Sequence, residues 1–147
     1  MLLTAIALGG RSGSAELRDW AARELRGYGP DDELPPYRTV GAPLHVDMMN
    51  MRWIMKGQTI SPLMLPDFAQ DTVTNDVPLV HGIAEIEQLA RRCPPGEVVN
   101  MAPPGAAELV ALMNMQQNLN GHVERLYWGV SPVALEGVVG RSARRSP

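Results

Sequence analysis

Cysteine, lysine and phenylalanine are nearly missing from this chain of 147 residues: each occurs once, as Cys93, Lys56 and Phe68. A lone cysteine excludes an internal disulfide and fits a reducing compartment, so a cytoplasmic location is expected. Long apolar runs are missing too. None approaches the roughly 20 residues of a membrane helix, and Met1 to Gly10 lacks the basic stretch that opens a signal peptide. Positive charge is short: 13 Lys and Arg stand against 16 Asp and Glu, for a formal net charge of −3. That balance argues against a nucleic-acid binder working through a general basic field. The phosphate-binding Walker loop, the Gly-x-Ser-x-Gly elbow and the dinucleotide fingerprint are absent. So are internal repeats.

What is present is ordinary globular material, with 45% apolar and 20% charged residues. A chain this long suits one domain around one core and needs no metal or disulfide staple. The positive residues are Arg apart from Lys56, which reads as coding bias before chemistry. Three of the Arg and no acid fall in the last seven residues, so the body is more acidic than the whole. The expected organisation is a single domain over residues 1–140, with a basic, disordered tail over 141–147.

The apolar stretch from Met1 to Leu8 reads as helical, and Gly9 to Gly13 breaks it. Ser14 suits an N-cap, and Leu17, Trp20, Ala21 and Leu25 then share a helical face. The spacing predicts a helix from about Ala15 to Arg26 with Trp20 in the core and Gly27 as its C′ residue. Three prolines and three acids forbid regular structure between Tyr28 and Tyr37. From Thr39 to Ile60 the pattern is strand-like, with Leu44 to Met48 alternating and Arg52 to Met55 and Gln58 to Ile60 returning antiparallel. Ile83, Ile86 and Ala90 mark a helix ending near Arg92. Another is expected from Pro104, with Leu109, Leu112 and Met113 inward. Val123 to Val130 reads as a strand. A last helix opens at Ser131 and Pro132, with Val133, Ala134, Val138 and Val139 on its apolar side. The sum is an α+β fold: N-terminal helices, a small antiparallel sheet and two to three further helices around one core.

Three blocks add to this. They are the run Ser14-Ala-Glu-Leu-Arg-Asp-Trp20 with Glu24-Leu-Arg-Gly-Tyr28 and Asp31-Asp-Glu-Leu-Pro-Pro-Tyr-Arg38; then Val77-Pro-Leu-Val-His-Gly-Ile-Ala-Glu-Ile-Glu87; then Tyr127-Trp-Gly-Val-Ser-Pro-Val-Ala-Leu-Glu-Gly137. In this order they resemble the AbiTii domain of bacterial abortive infection proteins, over about Leu2 to Val139. The resemblance implies a part in defence against phage, in which an infected cell stops growing or dies before progeny are released. It brings no reaction and no catalytic set. Members usually begin with further helical sequence and extend the last helix by several turns, so the chain is expected to be truncated at both ends.

Several residues carry possible chemistry. Cys93 follows Arg91 and Arg92, whose charge favours a thiolate, yet a small buried hydrophobe is the simpler role. His45 and Asp47 alternate on one strand and so share a face, as an acid–base pair or the start of a metal site would. Asp31, Asp32 and Glu33 offer carboxylates to a cation or a basic partner, or simply cap a solvated turn. Tyr28, Tyr37 and Arg38 flank that turn and are expected to pin it against the Trp20 helix, with Arg38 paired among the acids, or else to form a recognition surface. Met48, Met49, Met51 and Met55 cluster with Trp53, and adaptable Met side chains suit either core filling or a partner site.

The expected binding residues are therefore Tyr28, Asp31, Asp32, Tyr37, Arg38, Met51 and Trp53, with no catalytic residue, metal or cofactor. The first reading is an interaction or sensing module, binding a protein partner such as a phage component or its own copies, away from membranes and nucleic acid. The second is a small metal-dependent toxic enzyme, a nuclease or nucleotide hydrolase, using Asp31, Asp32, Glu33, His45 or Asp47. A third is an inert, stable fragment.

Overall fold

A computed structural model describes residues 15–116 and 121–145. The helix expected from Met1 to Leu8 and the Ser14 cap lie outside them. Among the described residues four α-helices, α1 (Ala15–Arg26), α2 (Ile83–Arg92), α3 (Ala106–Gln116) and α4 (Pro132–Arg145), accompany six strands. These are β1 (Thr39–Gly41), β2 (Leu44–Met49), β3 (Ile54–Ile60), β4 (Asp76–Pro78), β5 (Val99–Met101) and β6 (His122–Val130). The fold is mixed α+β, as the sequence leads one to expect. Among the described residues no helix is long and apolar enough to cross a membrane.

Two compact units share the chain. The first takes the described part of Met1–Val40, Pro78–Glu97 and the described part of Pro132–Pro147. Helix α1 keeps its expected limits, and Gly27 closes it at φ +100°, its N–H on the Arg23 carbonyl. Only glycine reaches that left-handed conformation cheaply. The buried face of α1 differs from the expected one. Ala21 and Glu24 are buried, Trp20 is half-buried and Leu25 is exposed. The inward stripe thus sits nearer the helix end, because a carboxylate with enough partners is accepted inside. Ile86 and Ala90 of α2 and Leu135 and Val138 of α4 complete the apolar interior. Val133 of α4, expected inward, is 73% exposed. The irregular tail expected from Arg141 does not start there either. Helix α4 runs through Arg145, and Ser142 is buried because its hydroxyl has a partner in the core.

The second unit takes Gly41–Val77 and the described part of Val98–Ser131. Its antiparallel sheet runs β3-β2-β6-β5. Leu44, Val46 and Met48 alternate inward on β2 opposite Trp128, Leu126 and Val123 of β6. Helix α3 packs on β6 and buries Leu109 and Met113. It begins at Ala106 and not at Pro104, because Gly105 at φ +70° makes a turn there. The Asn114 side chain takes the place of a neighbouring strand's peptide group, donating to the Val123 carbonyl at 3.0 Å and accepting its N–H at 2.8 Å. Two bulges interrupt β2's pairings, one around Gly57 in β3 and one at Glu124 in β6. Strand β1 falls in the stretch from Thr39 that reads as strand-like, and it pairs with β4, which the sequence reading does not mark as a strand.

Candidate functional site

In the first unit the site residues converge on Glu24. Glu24 and Arg38 are both fully buried and stand 2.9 Å apart as an ion pair. Tyr28 and Ser142 donate their hydroxyls to the same carboxylate, Ser142 at 2.6 Å. The Arg38 guanidinium also donates to the carbonyls of Leu79 at 3.1 Å and His81 at 2.6 Å, and lies 5.0 Å over the Tyr28 ring. Trp20 donates its indole N–H to the Tyr37 hydroxyl, which in turn bonds Glu24. Burial pushes the Glu24 carboxyl up, but the hydroxyls of Ser142, Tyr28 and Tyr37 and the Arg38 charge outweigh it and leave the carboxyl below its usual range. Burial and the Glu24 carboxylate raise both Tyr28 and Tyr37.

Tyr28, Tyr37 and Arg38 are thus interior residues. Tyr37 is tied to Trp20, as the pinning reading has it, while Arg38 pairs with Glu24 and not with the loop acids. Asp32 accepts the Gly29 N–H at 2.8 Å, the solvated-turn role, and Asp31 is exposed. Half-buried Cys93 ends α2 with its thiol 3.7 Å from the Pro94 carbonyl. Glu24 was not legible as a site residue. Its only signal is its place between Ala21 and Tyr28 at helical spacing, on the inward stripe.

In the second unit His45 and Asp47 do share a sheet face. Asp47 accepts the Tyr127 hydroxyl at 2.6 Å and the Gly57 N–H at 2.9 Å, and Arg125 stands 3.8 Å away. Burial pushes Asp47 up, but these contacts prevail and its pKa is lowered; burial and the same carboxylate push Tyr127 up to about 12. Asp47 therefore holds the β3 bulge at Gly57 against β6. The His45 ring sits 5.8 Å from Tyr127 and shares a hydrogen bond with Thr59. Tyr127 and Arg125 were missed although they sit two apart on a strand facing His45 and Asp47. Among the described residues no group of three or more His, Cys, Asp or Glu is placed to hold a metal ion.

The hairpin between β2 and β3 is built tightly. The Asn50 side chain accepts the N–H groups of Arg52 at 2.8 Å and Trp53 at 3.0 Å, and the Asn50 backbone N–H donates to the Trp53 carbonyl. This turn holds Met51 wholly in solvent, at 104% exposure, with Met49, Ile54 and Met55 exposed behind it. Trp53 is half-buried on Gly121, where an added Cβ would lie 2.9 Å from its ring. Met51 and Trp53 belong to the second unit and the other expected binding residues to the first.

A mixed α+β protein with an internally satisfied buried ion-pair cluster and a solvent-held apolar hairpin is the class that these features define. The chain belongs to the AbiTii family, whose model matches residues 1–142. Membership suggests a role in abortive infection, a defence against phage. Neither the curated proteins nor the solved structures contain a match.

Proposed function

We propose that this chain is an interaction or sensing module of phage defence that engages a protein partner through the β2–β3 hairpin. One observation carries the reading: Met51 stands fully exposed on a turn that the Asn50 side chain closes with two hydrogen bonds. An apolar side chain presented to water on a hydrogen-bonded turn suits a partner's pocket, since the turn backbone has less entropy to lose on binding. The unbranched thioether fits irregular apolar surfaces.

A liquid-culture phage challenge of bacteria expressing the chain tests this. Protection is expected to disappear with Met51→Glu, as burying a carboxylate in an apolar pocket costs about 2 kcal/mol or more, roughly thirtyfold in affinity. Asp32→Ala and His45→Ala are expected to protect normally. The reverse pattern, with Asp32→Ala or His45→Ala inactive but folded and Met51→Glu active, supports the toxic-enzyme reading and overturns this one.

A further inference from the structure

The second unit holds a cavity of about 400 Å³ beside β6 whose chemistry is independent of the hairpin. The bulge in β6 lies on its edge. Asp47 and Met48 of β2 oppose Arg125 and Val123, so Glu124 is the extra residue. In a regular strand Glu124 and Arg125 would point to opposite faces. A bulge re-aims side chains, and here both residues line one cavity.

Each brings a charge held only in a long ion pair. Arg125 rests over the Tyr127 ring at 4.9 Å, and the Asp47 oxygen at 3.8 Å lies beyond hydrogen-bond range. The Tyr127 ring supports its guanidinium, and among the described residues no side-chain hydrogen bond to it is closer than that ion pair. The Glu124 carboxylate stands 3.8 Å from His122, also beyond hydrogen-bond range, and is 45% exposed. Asn100 adds a carboxamide that both donates and accepts. The rest of the lining includes small and apolar residues, Ala102, Ala106, Ala107, Val110 and Leu126. A volume near the lower end of ligand sites, an apolar lining and a few convergent polar groups make a small-molecule pocket.

The charges select the ligand. A bare anion drawn to Arg125 would meet Glu124, and a bare cation drawn to Glu124 would meet Arg125. A molecule carrying both charges on neighbouring atoms satisfies both. We infer that this cavity binds a free α-amino acid with a compact apolar side chain. Its carboxylate would lie on Arg125, its ammonium on Glu124 and its side chain against the alanines.

Isothermal titration of the full chain with leucine, leucinamide and N-acetylleucine tests this. Leucine is expected to bind, and each derivative, lacking one charge, about tenfold or more weakly, the scale of one lost charged hydrogen bond. Glu124→Gln should weaken leucine by a similar factor and leave N-acetylleucine unchanged, which general damage to the fold would not do. Arg125→Gln should weaken leucine and leave leucinamide unchanged. If Arg125→Gln fails to fold, the derivatives and Glu124→Gln decide alone. No heat with leucine at about 10 mM overturns the inference. So does N-acetylleucine or leucinamide binding as tightly as leucine, which would mark a site for a single charge.

Discussion

Arg38→Ala is expected to remove about 3–5 kcal/mol of folding stability, since it leaves the Glu24 carboxylate buried without its counter-charge. A domain typically has about 5–15 kcal/mol in all, so this one change takes a large share. The expectation rests on complete burial of both partners, for which an exposed pair would give little. It also rests on two carbonyls, those of Leu79 and His81, that lose their donor when the guanidinium goes. Urea unfolding followed by circular dichroism measures it. A loss below about 1 kcal/mol, the range of a surface pair, would mean that water reaches Glu24. Replacing both partners, as in Glu24→Leu with Arg38→Met, should recover part of the loss, because two apolar groups avoid a stranded charge. Recovery stays incomplete: the hydroxyls of Tyr28 and Ser142 would then lack their acceptor.

The same cluster gives a pH dependence with a definite sign. The Glu24 carboxyl is lowered in the folded state, so the folded protein holds the charged form more firmly than the unfolded chain does. Its stabilisation is complete above the unfolded value of about 4.3 and is lost as pH falls through the lowered folded value. Urea midpoints taken from neutral pH downward should therefore drop below about pH 4.3. Glu24→Gln should be less stable at neutral pH and show a flatter acid limb. An equally steep acid limb in Glu24→Gln would place the acid sensitivity elsewhere, with Asp47, also lowered, the next candidate.

The elements were more legible than the site because they depend on different ranges of interaction. Helix α1 follows from local signals, the spacing of Trp20 and Ala21 and the stop at Gly27. The β2–β3 hairpin follows from the alternation about Val46. Which face each element buries depends on partners far along the chain. Ser142 lies 118 positions from Glu24, and no local pattern announces that a serine among arginines will enter the core. For the same reason Arg38 pairs with Glu24, 14 residues back, while three nearer acids lie between Asp31 and Glu33. Pairing of His45 and Asp47 on one face was readable from period two alone. That Tyr127, 80 positions away, would occupy Asp47 was not.

Gly82→Ala is expected to destabilise the first unit by about 1–3 kcal/mol or more, the cost of overpacking against groups that cannot rotate aside. A Cβ at Gly82 would lie 2.3 Å from the Leu25 carbonyl oxygen, a backbone atom at the end of α1. The backbone angles, φ −60° and ψ 150°, suit any residue. The whole cost is therefore steric: α1 must move away from the start of α2. That movement would strain contacts made by this close approach, the Tyr28 N–H on the Val80 carbonyl at 2.7 Å and Arg38 on the His81 carbonyl. A missing side chain at position 82 thus helps to bring Arg38's acceptors within reach. Gly137→Ala supplies the opposite case. It lies within α4 with nothing within 4 Å of an added Cβ, and alanine in a helix interior gains about 0.5–1 kcal/mol over glycine. Each kcal/mol moves Tm by about 2–4 °C for a chain this long, so thermal unfolding should separate the two variants in opposite directions from the parent. A Gly82→Ala protein melting with the parent would mean that α1 and α2 lie farther apart than 2.3 Å implies.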